Sequence, residues 1–407
     1  MKPFLYQLKR VKLRELIQVW KLPISAVAAA FYKRGHRDLW LVCEDQNEAR
    51  DNGYWFFRYL RQRHPERECV YAISGRSPDL GKIKALGDWV EFGSLRHWIL
   101  YFASSVKISS QKAGNPNAPI FYFLEVYGLI RNDRVFLQHG VVKDDLKWLY
   151  YEETKMKRFI CGAYPEYEYV RSKFGYPEGS VRYTGLCRFD GLHDFETDRK
   201  LILIMPTWRA WIADEDYRLM KYEGTAVVPE TEFFRTWNAF VSDERIREIA
   251  RRHKVRFLFF PHRNMQKYMR YFPESNEYME FADASRYDVQ EVMKRAAMMI
   301  TDYSSVFFDM LYMKKPVVFY QFDYEKFREA QYGEGYFRFD DNPFGRSIRE
   351  RAAVFDELER IIGEDYRVDE AFLEAHGDFF RLYDAENCER VYRVVGELRN
   401  APEGKGA

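Results

Sequence analysis

The sequence predicts an α/β protein made of two units, each with a layer of parallel strands covered by helices. Short apolar runs alternate with longer helix-like stretches, which is the pattern of buried parallel strands connected by helices. The pattern stops at a polar stretch, 193–200, and then starts again, which indicates a linker between two units of similar size. A chain of 407 residues, 47% apolar and 18% aromatic, is long enough and apolar enough to form two cores.

The charge and cysteine content argue against several classes of protein. The 64 Lys and Arg residues nearly balance 62 Asp and Glu residues, and the net charge of +2 argues against a protein that coats nucleic acid. The five cysteines lack metal-ligand spacing, which indicates a reducing compartment and no zinc site. The most apolar N-terminal piece, 22–32, is too short to span a bilayer and no signal peptide is apparent, so we expect a cytoplasmic protein.

The first 37 residues are basic and amphipathic. Apolar side chains at helical spacing indicate one helix with an apolar face, and Pro23 is expected to break or kink that helix. Such a segment is suited to binding an anionic membrane surface. Alternatively, it packs its apolar face on the first domain. The apolar positions are Leu13, Leu16, Ile17 and Trp20, and the basic positions beside them are Lys9, Arg10, Lys12, Arg14 and Lys21.

Twelve apolar runs mark the expected strands of two domains, 38–192 and 200–400, which we expect to face each other across a cleft. Open parallel sheets bind ligands outside the carboxyl ends of their strands, so the residues that end these runs are the first candidates for a site. In the first domain the runs are 39–44, 69–74, 89–94, 105–110, 134–140, 158–163 and 181–186. In the second domain they are 201–208, 255–262, 278–283, 297–302 and 317–322.

The run at 134–140 ends in Gln-His-Gly. An imidazole at His139 is able to accept a proton from a hydroxyl near neutral pH, and Gly140 lets the backbone turn sharply or approach a ligand closely. The alternative is a structural histidine that bonds to a neighbouring loop. Lys143, a few residues further on, is either a partner for an anion or a solvated helix charge.

Two strand ends in the second domain read PTWR and PHRN. In the first, Pro206 and Thr207 end the strand, and the planar, permanently charged fork of Arg209 suits a phosphate. The alternative for Arg209 is an ordinary surface arginine. In the second, His262 and Arg263 follow an apolar strand, with a structural histidine as the alternative.

The stretch TDYSSVFFD, 301–309, is the most informative strand end. Ser304 or Ser305 is a suitable N-cap for the helix that follows. Because that helix is apolar nearly all round, we expect it to be buried, with free N–H groups that bind phosphate unless the serines only cap it. Asp309, one turn into the helix, requires partners if it is buried, and a ligand hydroxyl is one candidate. The sequence contains no GxGxxG or GxxxxGK phosphate loop.

Taken in order, these residues resemble the CDP-glycerol glycerophosphotransferase family, whose members prime and polymerise teichoic acids and related capsule polymers. The resemblance extends over nearly the whole chain after residue 38, and its most specific part is TDYSS with Asp309, followed by KPVVFYQFD. The chain departs from a common family pattern at 138–141, where it reads QHGV and many members read WHGT. The motifs that carry the resemblance are ARDNGYWFFRYL, QHGVVKDDLKWL, TGLCRFD, PTWR, ITDYSSVFFDM, KKPVVFYQFDYEKF and GYFRFDDNPFG.

The resemblance implies a GT-B-like fold of two Rossmann-like domains. It also implies transfer of glycerol phosphate from CDP-glycerol to an acceptor hydroxyl, with release of CMP and with His139, in the acceptor-side domain, as the general base. Arg188, a protonated His262 and the helix N-terminus would neutralise the pyrophosphate without a metal. Mg²⁺ is not indicated, although Asp302 leaves that question open. The residues expected around CDP-glycerol, together with the strand-end arginines, are Gly140, Val141, Val142, Lys143, Arg188, Pro206, Thr207, Arg209, His262, Arg263, Ser304, Ser305 and Asp309.

The expected acceptor is a lipid-linked polymer, which would place the enzyme at the cytoplasmic face of the membrane, in peripheral contact through the N-terminal segment. No nucleic acid partner and no cofactor are expected. Two alternatives keep the fold and change the donor, to CDP-ribitol or to a nucleotide sugar. CMP release separates the two CDP donors from a UDP-sugar enzyme, and only a comparison of donors separates glycerol from ribitol. A third alternative is a non-catalytic polymer-binding or scaffold protein, against which the presence of His139, Arg188 and Asp309 argues.

Overall fold

The chain forms two compact units, which we call unit 1 and unit 2, and it passes from one to the other four times. The computed structural model describes residues 11–213, 228–283 and 286–400. Unit 1 comprises residues 1–141, 146–191 and 384–407, and unit 2 comprises residues 142–145 and 192–383.

Unit 1 is built on a sheet of seven parallel strands. Each strand lies within one of the apolar runs of the sequence, and the central strands are buried on both faces, which is why their runs are continuous rather than alternating. The strands are β1 (Trp40–Cys43), β2 (Cys69–Ile73), β3 (Trp89–Glu91), β4 (Val106–Ser109), β5 (Arg134–Phe136), β6 (Arg158–Cys161) and β7 (Val181–Tyr183).

Unit 2 is built on a sheet of six parallel strands. Five of them coincide with or overlap the apolar runs, and the sixth, of only two residues, has no counterpart in the predicted pattern. The first strand of the unit begins at Asp198, inside the stretch expected to be a linker. The strands are β8 (Asp198–Met205), β9 (Arg256–Phe259), β10 (Met279–Phe281), β11 (Ala296–Thr301), β12 (Val317–Tyr320) and β13 (Ser347–Ile348).

The first six strands of each sheet share one strand order. Across unit 1 it is β3-β2-β1-β4-β5-β6-β7, and across unit 2 it is β10-β9-β8-β11-β12-β13. Counted within each unit, the first six strands have the order 3-2-1-4-5-6 of doubly wound α/β folds, which reverses between the first and fourth strands, and unit 1 adds a seventh strand at the end of its sheet. The reversal lies between β1 and β4 in unit 1 and between β8 and β11 in unit 2. A crevice that accepts ligands is expected outside the carboxyl ends of these strands.

Seventeen α-helices are present in the described residues, and most of them connect or flank the strands. Unit 1 contains α1 (Leu13–Leu16), α2 (Lys21–Tyr32), α3 (Asn52–Arg63), α4 (Leu80–Leu86), α5 (Leu95–Ala103), α6 (Ala118–Val126), α7 (Tyr151–Thr154) and α8 (Tyr164–Lys173). Unit 2 contains α9 (Ala210–Ala213), α10 (Glu232–Val241), α11 (Glu244–His253), α12 (Val289–Arg295), α13 (Phe307–Tyr312), α14 (Tyr324–Ala330), α15 (Arg351–Gly363) and α16 (Glu370–Phe379). The last helix, α17 (Asn387–Asn400), belongs to unit 1. Short 3₁₀ helices span Ile17–Trp20, Lys147–Leu149, Cys187–Gly191, Val228–Glu230, Arg263–Tyr271 and Phe339–Asp341.

The N-terminal segment is helical from Leu13 to Tyr32, with a 3₁₀ turn between α1 and α2. The predicted break at Pro23 is wrong, because Pro23 lies in the first turn of α2, where a helix does not need its N–H, while the alternative of a kink there stays a prediction. The small residues Ser25 and Ala29 are buried where α2 packs against α5. Lys9 and Arg10 lie outside the described residues. No helix in the described part of the chain combines the length and the apolar character required to cross a membrane.

The sequence assigned residues 200–400 to one domain, but α17 packs in unit 1. The N–H groups of Asn387 and Cys388 donate to the two carboxylate oxygens of Asp190, at 2.8 and 2.9 Å. Gly185 has a φ of +76°, and a Cβ on it would overlap the side chain of Asn387. The chain therefore returns to unit 1 at a joint that requires glycine.

Candidate active site

His139 lies three residues after the end of β5, at the carboxyl edge of the unit 1 sheet. Its side chain is exposed, although the residues on both sides of it, Gln138 and Gly140, are buried. β5 is the neighbour of β4, so His139 is close to the point where the strand order reverses. An exposed imidazole at this edge is accessible to a ligand hydroxyl.

The backbone directly before His139 has an unusual conformation. The φ of Gln138 is +63°, in the left-handed region that residues other than glycine seldom occupy. The side-chain amide of Gln138 donates to the carbonyl of Ile160 and to Oε1 of Glu166, both at 2.8 Å. The carbonyl of Gln138 accepts from Nδ2 of Asn52 at 2.7 Å. Since Gln138, Asn52 and Glu166 are all buried, an internal hydrogen-bond network holds this turn.

Arg188, which we expected to contact the donor, is buried beside the same turn. Its Nη1 donates to the carbonyl of His139 at 2.9 Å and to Oδ1 of Asp51 at 2.8 Å. Its main-chain N–H donates to Oδ1 of Asn52 at 3.0 Å. Within unit 1, Arg188 therefore supports the main chain of His139, and its contact with pyrophosphate remains a prediction.

Lys143 is buried and lies outside any helix, so the alternative of a solvated helix charge is wrong. Its ammonium pairs with Asp144, and Nη1 of Arg328 donates to the other oxygen of Asp144 at 2.6 Å. Burial lowers the pKa of Lys143, while the carboxylate of Asp144 opposes that effect. The two cations and the carboxylate fasten the segment 142–145 within unit 2. The residues between His139 and Lys143 are also buried: Gly140, Val141 and Val142.

In unit 2, the loops after β8, β9 and β11 are joined by hydrogen bonds of the main chain. The N–H of His262 donates to the carbonyl of Pro206 at 3.0 Å, and the N–H of Thr207 donates to Oδ1 of Asp302 at 2.8 Å. The buried hydroxyl of Thr207 has no hydrogen-bond partner in the described part of the chain. Since β8 and β11 flank the reversal of strand order, these loops border the expected crevice of this unit.

Arg209 requires a correction, because it is completely buried and is therefore not a surface arginine. Its Nε donates to Asp323 at 2.7 Å, its Nη2 to Asp302 at 2.8 Å and its Nη1 to the carbonyl of Thr207 at 2.9 Å. Burial alone would lower the pKa of Arg209, but the carboxylates of Asp323 and Asp302 outweigh burial and raise it. With its fork occupied by these groups, Arg209 braces the loops after β8, β11 and β12 rather than offering itself to a phosphate.

The predicted N-cap at Ser304 or Ser305 is wrong. The helix α13 begins at Phe307 and its N-cap is Val306, because the chain first makes a turn that carries both serines. The prediction that this helix is buried is confirmed for all six of its residues, including Asp309. Neither serine hydroxyl bonds to another described residue, so both retain their hydrogen-bonding capacity.

His262 follows β9 and caps the 3₁₀ helix Arg263–Tyr271. Its Nδ1 accepts the N–H of Asn264 at 3.2 Å, which in a neutral ring assigns the proton to Nε2. The ring is partly exposed and its centroid lies 6.2 Å from that of Trp208. Arg263 is exposed at the start of the 3₁₀ helix. An Nε2–H at this edge is a suitable donor to a phosphate oxygen.

Three residues that support the predicted site residues within their own units were not predicted from the sequence: Asn52, Gln138 and Asp323. Asp323 comes three residues after the end of β12, so the search for polar residues at strand ends, if extended to β12, would have found it. Asn52 begins the helix after β1, and its position in the motif ARDNGYWFFRYL was the available signal. Gln138 gave no signal beyond its place next to His139.

In the described part of the chain, the predicted residues coincide neither with a metal-ligand cluster nor with the cavity of about 540 Å³ in unit 2. Within 11–213, 228–283 and 286–400, no group of three or more His, Cys, Asp or Glu side chains is arranged to hold a metal ion. A cavity of about 540 Å³ in unit 2 is lined by none of the predicted site residues. Its lining includes Arg235, Arg245, Tyr320, Phe322, Arg349 and Arg351.

Two parallel sheets, each with polar residues at its carboxyl edge, define the class of two-unit α/β proteins. Over residues 28–397 the sequence matches the family described as CDP-Glycerol:Poly(glycerophosphate) glycerophosphotransferase. The chain belongs to this family, and the predicted family is confirmed.

Among curated proteins, the chain is similar to the minor teichoic acid biosynthesis protein GgaB of Bacillus subtilis (strain 168). The two are 30% identical over 377 residues, which cover 89% of this chain and 40% of GgaB. The teichoic acid ribitol-phosphate polymerase TarK of Staphylococcus aureus (strain NCTC 8325 / PS 47) is 27% identical over 239 residues, which cover 54% of this chain and 41% of TarK. The matched regions thus span about two-fifths of the length of these relatives.

Among solved structures, the chain is similar to the wall teichoic acid polymerase TagF. The TM-score is 0.66 at 15% identity, over 96% of this chain and 99% of the solved chain. TagF has also been solved after a soak with CDPG, and that structure matches with a TM-score of 0.64 at 16% identity, over 96% and 99% of the two chains. The likeness shows the fold, and it confirms the predicted α/β class with two parallel-sheet units.

Proposed function

We propose that this chain transfers glycerol phosphate from CDP-glycerol to a hydroxyl of a teichoic-acid-like or capsule polymer and releases CMP. The observation that carries the proposal is the exposed imidazole of His139, which follows a buried strand in a chain of the glycerophosphotransferase family. The GgaB relative is named for teichoic acid biosynthesis, and TagF has been solved after a soak with CDPG. These names support both the polymer class and the donor.

In this proposal His139 is the general base. The acceptor oxygen attacks the phosphorus that carries the glycerol, while the proton of the acceptor hydroxyl passes to the imidazole. The bond from that phosphorus to the bridging oxygen breaks, and CMP leaves with the bonding electrons. Because the nucleophile is an alcohol, removal of its proton during attack is the step for which an exposed imidazole is suited.

The donor is assigned to the strand ends of unit 2. The hydroxyls of Ser304 and Ser305 are available for hydrogen bonds to phosphate oxygens, and the Nε2–H of His262 supplies a further donor. The hydroxyl of Thr207, which has no partner among the described residues, lies in the loop that bonds to His262 and to the segment before Ser304. Asp309, buried in the first turn of α13, is assigned to a glycerol hydroxyl.

CDP-ribitol is the second candidate donor, and the specific observation that favours it is the similarity to TarK, which is named a ribitol-phosphate polymerase. Glycerol and ribitol differ only in the length of the polyol, so the pyrophosphate contacts proposed above serve both donors. The two candidates therefore require a direct comparison.

The test is release of CMP from CDP-glycerol and from CDP-ribitol, with and without a lipid-linked glycerol phosphate oligomer. We expect faster release from CDP-glycerol, dependent on the oligomer, and a rate about 10²–10⁴ lower for His139→Ala. His253→Ala, in the last turn of α11, is the matched control and should leave the rate unchanged. Release of CMP from CDP-ribitol but not from CDP-glycerol would identify CDP-ribitol as the donor. No release from either donor would favour a polymer-binding protein.

The lipid-linked acceptor is supported by a stripe of exposed apolar side chains along the N-terminal helices, which we call the N-terminal stripe. These side chains recur at alternating spacings of four and three residues and are between 48% and 73% exposed. Exposed Lys12, Arg14, Lys33 and Arg34 flank the stripe, which suits an anionic membrane at its cytoplasmic face. The members of the stripe are Leu13, Ile17, Trp20, Ile24, Val27 and Phe31.

A further inference from the structure

We infer that Gln138, together with Asn52 and Arg188, is a positioning residue that fixes the imidazole of His139 for proton transfer. This inference rests on the proposed role of His139 as the base. It assigns a purpose in catalysis to a glutamine that touches no reacting atom.

The two peptide groups on either side of His139 are both anchored by side chains. The carbonyl of Gln138 accepts from Asn52 at 2.7 Å, and the carbonyl of His139 accepts from Arg188 at 2.9 Å. The two anchors are bonded to each other, because Oδ1 of Asn52 accepts the N–H of Arg188 at 3.0 Å. The main chain of His139 is thus held before and after its Cα, while its side chain remains exposed.

The glutamine side chain supplies the bonds that keep the turn in its strained conformation. Its amide donates to the carbonyl of Ile160 in β6 and to Glu166 in α8. The second carboxylate oxygen of Glu166 accepts the N–H of Gly162 at 2.6 Å. A strand of the sheet and the helix that follows it therefore hold Gln138 in a conformation that it would not adopt alone.

The left-handed residue Gln138 has an unusual position relative to the helices and strands. In the described part of the chain, the other non-glycine residues with positive φ follow the ends of helices, where left-handed residues are common. Gln138 follows a strand, directly before the candidate base. The residues at helix ends are Lys155, Lys254, Lys314, Asp365 and Tyr366.

The experiment replaces Gln138 by glycine, which adopts a left-handed φ without strain but lacks the anchoring amide. We expect Gln138→Gly to lower kcat for CMP release by roughly 10–100-fold, because the imidazole is no longer fixed relative to the acceptor. The KM for CDP-glycerol should change by less than about twofold, since the donor is assigned to unit 2. The matched control is Lys254→Gly, which makes the same replacement at an exposed left-handed position and should leave both constants unchanged.

His139→Ala is measured in parallel, so that the two ideas fail in different ways. Slow turnover in both variants, with an unchanged KM and a melting temperature near that of the parent for Gln138→Gly, supports the inference. A slow His139→Ala beside a Gln138→Gly with parental kcat overturns positioning and leaves the base in place. A His139→Ala with parental turnover overturns both. If Gln138→Gly does not fold, Gln138→Asn is measured instead. Asparagine tolerates the left-handed region but is too short to keep both amide contacts, so kcat should again fall. A parental kcat in Gln138→Asn overturns the inference.

Discussion

Arg209 contacts Asp302 and Asp323 in a place that water does not reach, so its removal would leave two buried carboxylates without their cation. We expect Arg209→Met to lower the free energy of unfolding by about 3–5 kcal/mol, as measured by urea denaturation. The control is Arg199→Met, since the pair of Arg199 with Asp365 is exposed and its loss should change stability by at most about 0.5 kcal/mol. Equal stabilities of the two variants would contradict the assignment of Arg209 as an internal brace.

Ser304 and Ser305, which follow β11, do not cap α13, so we expect their replacement to affect ligand binding rather than stability. Replacing Ser304 and Ser305 by alanine should weaken the binding of CDP-glycerol, by roughly 1.5–3 kcal/mol for each hydrogen bond lost to a charged group. The melting temperature should stay close to that of the parent. Calorimetric titration with CDP-glycerol measures the first quantity, and Ser242→Ala, at an exposed position of unit 2, is the control. Unchanged affinity would remove the serines from the donor site.

For single residues, a position at the end of an apolar run predicted which residues reach the carboxyl edge of a sheet. It did not predict whether their side chains point to solvent or into the core. His139 is exposed, whereas Arg209 is buried, and both follow apolar strands. Arg209 turns inward because Asp302 and Asp323 follow β11 and β12, and the neighbouring strands β8, β11 and β12 bring the three side chains together. That adjacency is a property of the sheet, and a single strand end does not contain it.

Helix α5 contains a histidine whose protonation should limit stability in acid. His97 is fully buried, its Nδ1 accepts the N–H of Gly93 at 3.0 Å, and burial with the nearby charge of Lys21 lowers its pKa to about 3. Below pH 6.5 the unfolded chain binds a proton at His97 and the folded chain does not. The free energy of unfolding therefore falls as the pH drops below 6.5, by about 1.4 kcal/mol per pH unit from this group.

Urea denaturation near pH 7.5 and pH 5.5 measures this effect. In His97→Asn, the amide oxygen replaces Nδ1 as acceptor and does not titrate, so the variant should lose about 1.4 kcal/mol less than the parent between the two conditions. Groups that titrate in both proteins cancel in the comparison. An equal loss in parent and variant would show that His97 is protonated in the folded state.

The N-terminal stripe predicts binding to anionic vesicles that is reversed by high salt. Val27→Glu with Phe31→Glu places two charges on the stripe and should weaken binding of the purified protein in a flotation assay. Ala26→Glu with Ala30→Glu adds the same charge at exposed positions of α2 that are not part of the stripe, and it should weaken binding less. If both pairs reduce binding equally, charge repulsion explains the result and the stripe is not inserted.

Helices and strands with a clear hydrophobic pattern were predictable from the sequence. Short strands and boundaries that depend on one or two residues were not. The apolar runs predicted twelve strands because buried parallel strands must be apolar on both faces. β13 has only two residues, which is too short to produce a pattern. Pro23 and the serines before α13 led to wrong element boundaries, because proline is tolerated in a first turn and because a turn that begins at Ser304 precedes α13.

For the whole molecule, the sequence predicted two units but not their connections. Strand order is set by crossovers, which leave no mark in local hydrophobicity, so the shared 3-2-1-4-5-6 order emerged only from the structure. The same holds for α17, whose apolar face packs in the core of unit 1 beside β1 although it follows the whole of unit 2 in sequence. The core residues that α17 contributes are Cys388, Val391, Val394 and Val395.

The return of α17 sets an order of events on the ribosome. The nascent chain emerges from its N-terminus, so unit 2 has all its residues before unit 1 receives its last helix. During synthesis of unit 2, which takes roughly 10–40 s at typical elongation rates, Trp40 and Phe56 lack the partner that covers them in the finished protein. The N-terminal unit is therefore completed last. Substitutions in α17 would therefore affect the newly made chain first. They would change how long this apolar surface is exposed to chaperones and to other nascent chains.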